Sequence, residues 1–460
     1  MLKTIDQLLK EVRRVHFIGI GGSGMCPLAE ILLSWGYTVQ GSDNNPGDNI
    51  DHLRSLGVKV ILGQKAENLA GADMIVYTAA ILPDNPELIA AKNGDIPAFE
   101  RAKLFGAITR RYQNCIGVCG THGKTTTTSM LTQILLTAGK DPGAVIGGVL
   151  PMIGSHGRAG SDDTLVCEAC EYKDHYLDLS PSVAVILNVD EDHLEYFKNL
   201  DNIIASFRKF SDLASRTLIY NGDDSNTCRA VEGLDKEKIT FGFDSKNDYS
   251  PANIAFERGA FAGFDVVFRG ETVAHLQLKI PGRHNILNAL AAFAAAVNAG
   301  VSFADCEKGI ASFAGAGRRF EILAEIGGIT IADDYAHHPS ELEATLSSVM
   351  KMGYRTVWAV FQPFTYSRTK ILFDDFVRVL QIPDRCVMTE IMGSREVNTY
   401  GIYTADLAAK IPGSVWFNTF EEVVDYTLKN AQPGDLIITL GCGDIYKAAK
   451  MMKARLENKN

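Results

Sequence analysis

The sequence predicts an α/β protein built from three domains. Its 460 residues correspond to about three domains at roughly 150 residues each. Short apolar runs alternate with helical segments along most of the chain, which is the pattern of parallel sheets with crossover helices. Hydrophobic residues make up 46% of the chain and charged residues 22%, as in ordinary folded domains. We expect the three domains at residues 1–108, 109–315 and 316–460.

Charge and cysteine content narrow the class of protein. The chain carries 45 Lys and Arg against 55 Asp and Glu, and this net charge of −10 disfavours binding to nucleic acid or anionic membranes. Nine cysteines are too sparse for a secreted disulfide scaffold. The charged N-terminus lacks the apolar core of a signal peptide, and no apolar run reaches the ~18 residues that cross a bilayer. We expect a cytoplasmic protein without membrane insertion, as a monomer or a weak homodimer.

The first domain is predicted from short apolar strands that alternate with turns and a helix. The strands are expected at residues 15–20, 37–43, 58–63 and 72–80, and the helix at residues 24–35. Short apolar runs that alternate with helical segments are typical of parallel sheets. A parallel sheet with crossover helices is therefore expected.

The second and third domains repeat this alternation. In the second, the expected strands are 115–119, 164–169, 182–189 and 218–223, with helices after residue 123, at 201–213 and at 285–299, and antiparallel hairpins at 238–280. In the third, the expected strands are 328–334, 355–361, 385–392 and 435–441, with helices at 340–352, at 371–380 and at the C-terminus. Both domains are thus predicted to be α/β.

A glycine-rich loop follows the first predicted strand. Residues 19–24 match the G-x-G-x-x-G fingerprint between a strand and a helix, and an acidic residue ends the next strand. Glycines let backbone N–H groups approach a diphosphate at the positive end of the helix. The loop therefore predicts diphosphate binding rather than nicotinamide binding, while the acidic residue either binds ribose or caps a turn. The candidate residues are Gly19, Gly21, Gly22, Ser23, Gly24 and Asp43.

A second glycine-containing loop follows the first strand of the second domain. A lysine with a following hydroxyl, as in Lys124-Thr125, is what a triphosphate and its Mg²⁺ require, although the spacing departs from the strict P-loop pattern. A lysine in the first helical turn opposes the helix dipole unless an anion lies there. Triphosphate binding is therefore favoured over a simple helix cap. The candidate residues are Gly120, Thr121, His122, Gly123, Lys124, Thr125 and Thr126.

Acids and a histidine follow two further strands of the second domain. Glu168 and His193 come at or after strand ends, where ligands gather in open α/β sheets. With Thr125 they are predicted to hold two Mg²⁺ ions, although each is individually as consistent with a cap or a packed loop residue. Cys167 and Cys170 form a C-x-x-C, but no second pair completes a zinc site, so buried thiols are expected.

Polar residues around the start of the third domain suggest further ligand contacts. Asn285 and Asn288 share a helix face, which suits a ligand such as adenine or a helix N-cap. Arg319 follows two glycines at the expected boundary, where it could reach a transferring phosphoryl group. Asp334 ends a strand, and binds either ribose hydroxyls or an incoming ammonium, or caps the next helix.

Taken together, these motifs resemble the Mur ligases. The resemblance extends in order from about residue 15 to about residue 446, and its motifs are IGIGGSGM, GTHGKTTTT, EACE, NVDEDHLEYF, GRHNILNALAA, GAGRRFE and ADDYAHHPSE. It implies an N-terminal Rossmann-like domain for a UDP-sugar, a central P-loop ATPase-like mixed sheet, and a C-terminal Rossmann-like domain for an amino acid. It also implies ATP and Mg²⁺, and the joining of L-alanine to the lactyl carboxylate of UDP-N-acetylmuramate through an acyl phosphate.

The resemblance assigns roles to individual residues. It implies that Lys124 stabilises the γ-phosphoryl group, that Thr125 and Glu168 hold one Mg²⁺, and that His193 holds the second. It further places Asn285 and Asn288 at adenine, Arg319 at the phosphates and Asp334 at ribose. The implied amino-acid pocket contains Tyr335, His337 and Arg368. The chain departs from the family pattern at Phe364, where histidine is usual, at Met392-Gly393-Ser394, and at Cys442, where alanine is common.

Three other functions compete with this interpretation. A recycling ligase that joins a tripeptide to the same UDP-sugar would use the same phosphate loops. An NAD-dependent oxidoreductase would use the first loop but has no need of the second. A catalytically dead nucleotide-binding regulator is disfavoured, because every expected phosphate-binding and metal-binding group is present.

Overall fold

The α/β class is confirmed by a computed structural model that describes residues 3–394 and 396–458. The outermost positions of the predicted first and third domains, residues 1–2 and 459–460, lie outside the described residues. Three sheets of five, ten and six strands are present. The chain forms two compact units, one of Met1–Ala252, Asp265–Leu276 and Leu287–Ser312, the other of Asn253–Phe264, Gln277–Ile286 and Phe313–Asn460.

The first sheet has the expected Rossmann-like topology. Its five strands are all parallel and follow the order β3-β2-β1-β4-β5, in which the chain reverses direction across the sheet at β1. The elements are α1 (Ile5–Leu8), β1 (Arg14–Ile18), α2 (Cys26–Ser34), β2 (Thr38–Asp43), α3 (Asp48–Ser55), β3 (Lys59–Leu62), β4 (Met74–Tyr77), α4 (Pro86–Asn93), β5 (Ala98–Glu100) and α5 (Arg101–Thr109).

The second sheet is mixed and has ten strands. Its elements are β6 (Asn114–Cys119), α6 (Lys124–Thr137), β7 (Gly143–Leu150), β8 (Ser155–Arg158), β9 (Thr164–Glu168), β10 (Val183–Ile186), α7 (Leu194–Phe197), α8 (Leu200–Leu213), β11 (Thr217–Asn221), α9 (Ser225–Val231), β12 (Glu237–Phe241), β13 (Tyr249–Glu257), β14 (Phe261–Phe268), β15 (Glu271–Pro281), α10 (His284–Asn298) and α11 (Phe303–Ser312). The order is β15-β14-β13-β12-β11-β10-β6-β9-β7-β8, with β6 between β9 and β10 in parallel pairing. The ends of these three strands therefore lie side by side.

The third sheet is parallel except at one edge. Its elements are β16 (Glu321–Ile326), β17 (Ile329–Asp334), α12 (Pro339–Val349), β18 (Val357–Phe361), α13 (Tyr366–Ile371), α14 (Phe373–Val379), β19 (Arg385–Thr389), α15 (Thr404–Ala408), β20 (Val415–Phe417), α16 (Phe420–Asn430), β21 (Leu436–Leu440) and α17 (Tyr446–Glu457). The strand order is β16-β17-β21-β18-β19-β20, and β16 pairs with β17 in antiparallel orientation. Apolar clusters cover both faces of this sheet.

A continuous hydrophobic core joins the first and second sheets. It includes Phe17 and Leu28 from the first α/β segment and Cys167 and Phe207 from the second, all fully buried. At the same junction the Ser155 hydroxyl donates to Glu30 Oε1 at 2.6 Å. Burial of this apolar surface is the main force that holds the two sheets together in one unit.

One expectation about the elements is wrong. The first expected antiparallel hairpin does not form, because β12 and β13 pair in parallel at Phe241 and Tyr249. The helix expected at residues 371–380 is confirmed as α14, and the short helix α13 directly precedes it. As for membrane insertion, the described part of the chain contains no helix with both the length and the apolar character that a bilayer span requires.

Candidate active site

The first glycine loop closes over the side chain that ends β2. Gly19 has a φ of +80°, and the Gly21 amide donates to Asp43 Oδ2 at 2.9 Å. A Cβ at Gly21 would lie 2.9 Å from Ile50 Cγ1 and 3.1 Å from that carboxylate oxygen, so a larger residue here would have to displace one of these side chains. The Asn45 amide donates to the other oxygen of Asp43 at 3.1 Å. Asp43 therefore lies beside the loop and also helps to hold it in its conformation.

The remainder of this loop faces outward at the start of α2. Gly22 and Ser23 are exposed, and Gly24 is half-buried. The loop amides precede the N-terminus of a nine-residue helix. Such an arrangement favours a phosphate-bearing ligand, because the backbone donors and the helix dipole act together.

The second glycine loop is held between β6 and the segment that follows β10. The His122 amide donates to Asn188 Oδ1 at 2.8 Å, and the Asn188 side-chain amide donates back to the His122 carbonyl at 3.0 Å. The Asp190 amide donates to the Thr121 hydroxyl at 2.9 Å. Gly120 and Gly123 have φ values of +148° and +87°, which other residues adopt poorly. The neighbouring strand thus fixes the shape of the loop.

Lys124 begins α6 and lies deep in the site. Its ammonium donates to the carbonyls of Gly120 and Thr121 at 2.5 and 3.1 Å, and to Glu171 Oε1 at 2.9 Å. Burial acts to lower the pKa of Lys124, but the nearby acidic groups, with Glu171 the strongest among them, together outweigh burial and raise the pKa above its usual range. The lysine is therefore charged, and Glu171 is its counter-ion.

Thr125, in the first turn of α6, contacts Glu168, the last residue of β9. The Thr125 hydroxyl donates to Glu168 Oε2 at 2.8 Å, and the Gly147 amide donates to the same oxygen at 2.9 Å. A Cβ at Gly147 would lie 2.5 Å from Glu168 Oε2 and 2.8 Å from the Thr125 hydroxyl oxygen. The space around these two predicted oxygen ligands is therefore kept open by the absence of a side chain at Gly147.

His193 lies on the loop after β10, in a left-handed conformation with φ of +53°. Its ring packs on Tyr172 with the centroids 4.7 Å apart, and its Nε2 lies 3.7 Å from Asp192 Oδ2. Tyr172 directly follows Glu171, the partner of Lys124. Within the described residues no group of three or more His, Cys, Asp and Glu side chains forms a metal cluster. A metal here would take its remaining ligands from phosphate and water, as Mg²⁺ commonly does.

Two predicted adenine contacts lie on the first turns of α10. Asn285 is buried, and its side-chain amide donates to the Pro281 carbonyl at 2.7 Å. Asn288 is also buried, and its carboxamide lies directly against Gly123 of the second glycine loop. Asn288 therefore stands at the phosphate loop, and any Cβ at Gly123 would collide with it.

The predicted residues of the third sheet form a separate group at the end of β17. Asp334 accepts from the amides of Phe320 and Ala336, both at 2.8 Å. Burial raises its pKa to about 6, although the nearby Arg319 opposes the rise. Arg319 in turn packs on the Tyr335 ring, with its guanidinium carbon 5.1 Å from the centroid. This group therefore brings Arg319, Asp334 and Tyr335 together.

Part of the predicted amino-acid pocket forms a continuous group of neighbouring side chains. The His337 ring lies 5.6 Å from that of Tyr335 and 6.4 Å from that of Phe364, measured between centroids. Arg368 lies on the six-residue helix α13. Burial raises the pKa of the Cys442 thiol, and the nearby positive charge of Arg368 opposes this rise. Phe364 and Met392 form an isolated parallel β-bridge, so two of the positions that depart from the family pattern lie side by side.

Comparison with known proteins identifies the family. Three family models match successive segments: the Mur ligase family catalytic domain at residues 14–113, the Mur ligase middle domain at 118–296, and the Mur ligase glutamate ligase domain at 318–443. A UDP-N-acetylmuramate–L-alanine ligase from Acetivibrio thermocellus is 44% identical over 446 residues, or 95% of each chain. The chain belongs to the Mur ligase family. It is accordingly an ATP-dependent ligase that forms amide bonds.

Solved structures agree with this assignment. A UDP-N-acetylmuramate–alanine ligase from Thermotoga maritima superposes with a TM-score of 0.85 at 27% identity, over 97% of this chain and 100% of the other. A murein peptide ligase from Psychrobacter arcticus superposes with a TM-score of 0.77 at 25% identity, over 97% and 99% of the two chains. The expected resemblance and the three-sheet fold are both confirmed.

Sequence reasoning missed several residues of the site. Glu171, Asn188 and Gly147 each touch a predicted ligand residue, yet none was singled out from the sequence. Glu171 lies three residues after Glu168 in the EACE motif, so its charge was a usable signal. The roles of Asn188 and Gly147 depend on pairing between distant strands and could not be derived from local pattern.

Proposed function

We propose that this Mur ligase joins L-alanine to the lactyl carboxylate of UDP-N-acetylmuramate, with ATP as the energy source, in the synthesis of peptidoglycan precursors. The observation that carries the proposal is the presence of two phosphate-type glycine loops in one compact unit, one at α2 and one at α6. The Acetivibrio thermocellus relative, which is named for this activity, matches along nearly the whole chain. A sugar nucleotide and a nucleoside triphosphate each need such a loop.

ATP and Mg²⁺ are the proposed cofactors, and the side chains present fit both. The Thr125 hydroxyl and Glu168 provide hard oxygen ligands in a space that Gly147 leaves open, and His193 is proposed for a second ion. Mg²⁺ neutralises charge on the phosphates, and ATP supplies the phosphoryl group that turns the carboxylate into an acyl phosphate.

The chain's own residues act by neutralising charge and aligning the reactants. Lys124 is proposed to exchange one of its present contacts for a γ-phosphate oxygen, guided by Glu171 and the loop carbonyls. Asn288 is proposed to line the nucleotide site beside Gly123. No side chain is required as a covalent nucleophile, because the attacking groups are the substrate carboxylate and then the amine.

The remaining assignments are proposals of the same kind. In the second glycine loop, Gly120, Thr121, His122, Gly123 and Thr126 are proposed to enclose the phosphates. The proposed nucleotide contacts also include Asn285 for adenine, Arg319 for the phosphates and Asp334 for ribose. The proposed sugar-nucleotide residues are Gly19, Gly21, Gly22, Ser23, Gly24 and Asp43, and the proposed alanine contacts are Tyr335, His337 and Arg368.

We also propose three functional domains at residues 1–108, 109–315 and 316–460, for the UDP-sugar, ATP and the amino acid respectively. The enzyme is proposed to work in the cytoplasm as a monomer or weak homodimer. The proposal of three domains follows from the positions of the two glycine loops and of the polar cluster at the end of β17.

The test is phosphate release by purified protein given Mg-ATP, UDP-N-acetylmuramate and each common amino acid in turn. L-alanine should give the fastest release, and mass spectrometry should find the matching amide. Absence of release with every amino acid and with the tripeptide would refute the ligase proposal.

A recycling ligase for a tripeptide remains the second candidate. The superposition with a murein peptide ligase is the observation that supports this second candidate. Turnover with the tripeptide but not with L-alanine would replace the first proposal. An absorbance change of a nicotinamide cofactor without ATP would support the oxidoreductase alternative, and we expect none.

A further inference from the structure

A small cavity borders the predicted metal ligand Glu168. It lies between α5 and the end of β9, and its lining includes Arg101, Phe105, Glu168, Cys170, His175 and Tyr176. Arg101, which begins α5, and Glu168, which ends β9, thus face one space. Glu168 is a proposed metal ligand, but Arg101 has no role in the site as described above.

Arg101 lacks a protein partner for its charge. Among the described residues its guanidinium makes no hydrogen bond or ion pair. Two nearby acidic side chains are engaged elsewhere: Glu168 with the Thr125 hydroxyl at 2.8 Å, and Glu171 with Lys124 at 2.9 Å. Glu100 Oε1 lies 3.1 Å from His175 Nε2. A guanidinium without an acidic partner can bind a carboxylate or phosphate group of a ligand.

The guanidinium lies against the end of the first glycine loop. A Cβ at Gly24 would be 3.1 Å from Arg101 Nη1 and 3.3 Å from its Cζ. Gly24 precedes the N-terminus of α2, where a cation opposes the helix dipole. An anion placed between the loop amides and Arg101 removes this conflict.

Arg101 is also the cation of the cavity. Burial lowers the pKa of His175. The negative charge of Glu100 opposes this change, and the positive charge of Arg101 lowers the pKa further. His175 is therefore neutral near pH 7. Of the described residues that line the cavity, Arg101 is then the one that carries positive charge.

We propose that Arg101 binds an anionic group of the sugar nucleotide and positions it for reaction. The group is either the diphosphate at the first glycine loop or the lactyl carboxylate on its way to Glu168. A carboxylate that approaches both Glu168 and a triphosphate meets strong repulsion, which a guanidinium offsets. This inference rests on the proposed function, because it takes UDP-N-acetylmuramate as the substrate.

The test compares Arg101→Gln and Arg101→Lys with a matched control, Lys103→Gln. Lys103 is an exposed cation on the same helix, paired with Asp178. Calorimetry measures binding of UDP-N-acetylmuramate and of UDP-N-acetylglucosamine, which has the diphosphate but no lactyl group. We expect Arg101→Gln to weaken binding of UDP-N-acetylmuramate by about tenfold or more. Arg101→Lys should restore part of the affinity, and Lys103→Gln should bind as the wild type does.

The two ligands distinguish the two anions. Equal weakening for both ligands, with raised KM, identifies the diphosphate, whereas weakening for UDP-N-acetylmuramate alone, with lowered kcat, identifies the carboxylate. Wild-type affinity and kcat in both Arg101→Gln and Arg101→Lys would overturn the inference. If the wild type binds both ligands but never releases phosphate, the proposed function fails while the binding comparison still decides the role of Arg101.

Discussion

Lys124 is the residue on which the proposed chemistry most depends. Its three ammonium donors are used by two loop carbonyls and Glu171, so the charge is already oriented before any ligand binds. Orientation of this kind is effective because the protein need not reorganise when the phosphoryl group transfers.

Replacement of Lys124 by alanine should lower turnover by about two powers of ten or more, because a main electrostatic stabiliser of the transferring group is lost. Steady-state phosphate release measures the effect. Binding of UDP-N-acetylmuramate, measured by calorimetry, serves as the control and should be retained. Unchanged turnover would remove Lys124 from the catalytic assignment.

Glu171→Gln should destabilise the protein by roughly 3 kcal/mol, because it leaves a buried ammonium without its counter-charge. Mg-ATP should raise the thermal unfolding midpoint more in this variant than in the wild type, since the triphosphate replaces the missing negative charge. Asp178→Asn, which removes the partner of the exposed Lys103, should show the wild-type response to ATP. An equal ATP response in Glu171→Gln and the wild type would contradict the prediction.

Asp334 should make stability depend on pH. Its pKa is about 6 in the folded chain against an ordinary 3.8, so the folded state holds the proton more strongly and stability falls as pH rises from about 4 to about 6. Asp334→Asn should remove this dependence, which corresponds to roughly 3 kcal/mol.

The measurement is denaturant unfolding at several pH values in a Trp35→Phe background. Tryptophan fluorescence then comes from Trp358 and Trp416, which both lie in the unit that contains Asp334. Asp374→Asn, at an exposed position of α14, is the matched control. An identical pH dependence in Asp334→Asn and its parent would contradict the assignment.

At the scale of elements, β7 shows how a strand shapes the site without contributing a ligand. Its Gly147 donates to Glu168 and leaves space beside Thr125. Gly147 does not have a positive φ, so its backbone conformation also allows alanine. The obstacle to alanine is the close approach of its Cβ to the Glu168 and Thr125 oxygens.

Gly147→Ala should therefore lower kcat on the order of 100-fold by displacing Glu168 and Thr125. Phosphate release measures the loss. Affinity for UDP-N-acetylmuramate and the thermal unfolding midpoint should change little, which separates a local effect from general unfolding. A kcat equal to that of the wild type would show that the space at Gly147 is not needed.

Elements with strong local signals were predictable from sequence, and elements with weak ones were not. The strand, glycine loop and helix around residues 114–137 were predicted closely, because apolar residues, glycines and threonines follow in order. In contrast, β7 carries three glycines, which suggest a turn rather than a strand.

For the whole molecule, the candidate site was predictable where ligand residues follow parallel strands. Lys124, Thr125 and Glu168 were expected together and lie together, because β6 and β9 are neighbours whose ends share one edge. Arg101 was missed for a physical reason. Its proposed role depends on its charge remaining unpaired after folding, and no local pattern encodes that.

The shared core of the first and second sheets has a further consequence. Because Phe17, Leu28, Cys167 and Phe207 belong to one packed cluster, the two glycine loops keep a set spacing. If the two loops bind the sugar nucleotide and ATP as proposed, this spacing selects substrates by length as well as by chemistry. A sugar nucleotide whose acid arm is one carbon too long or too short would then bind through its phosphates and place its carboxyl group away from the triphosphate.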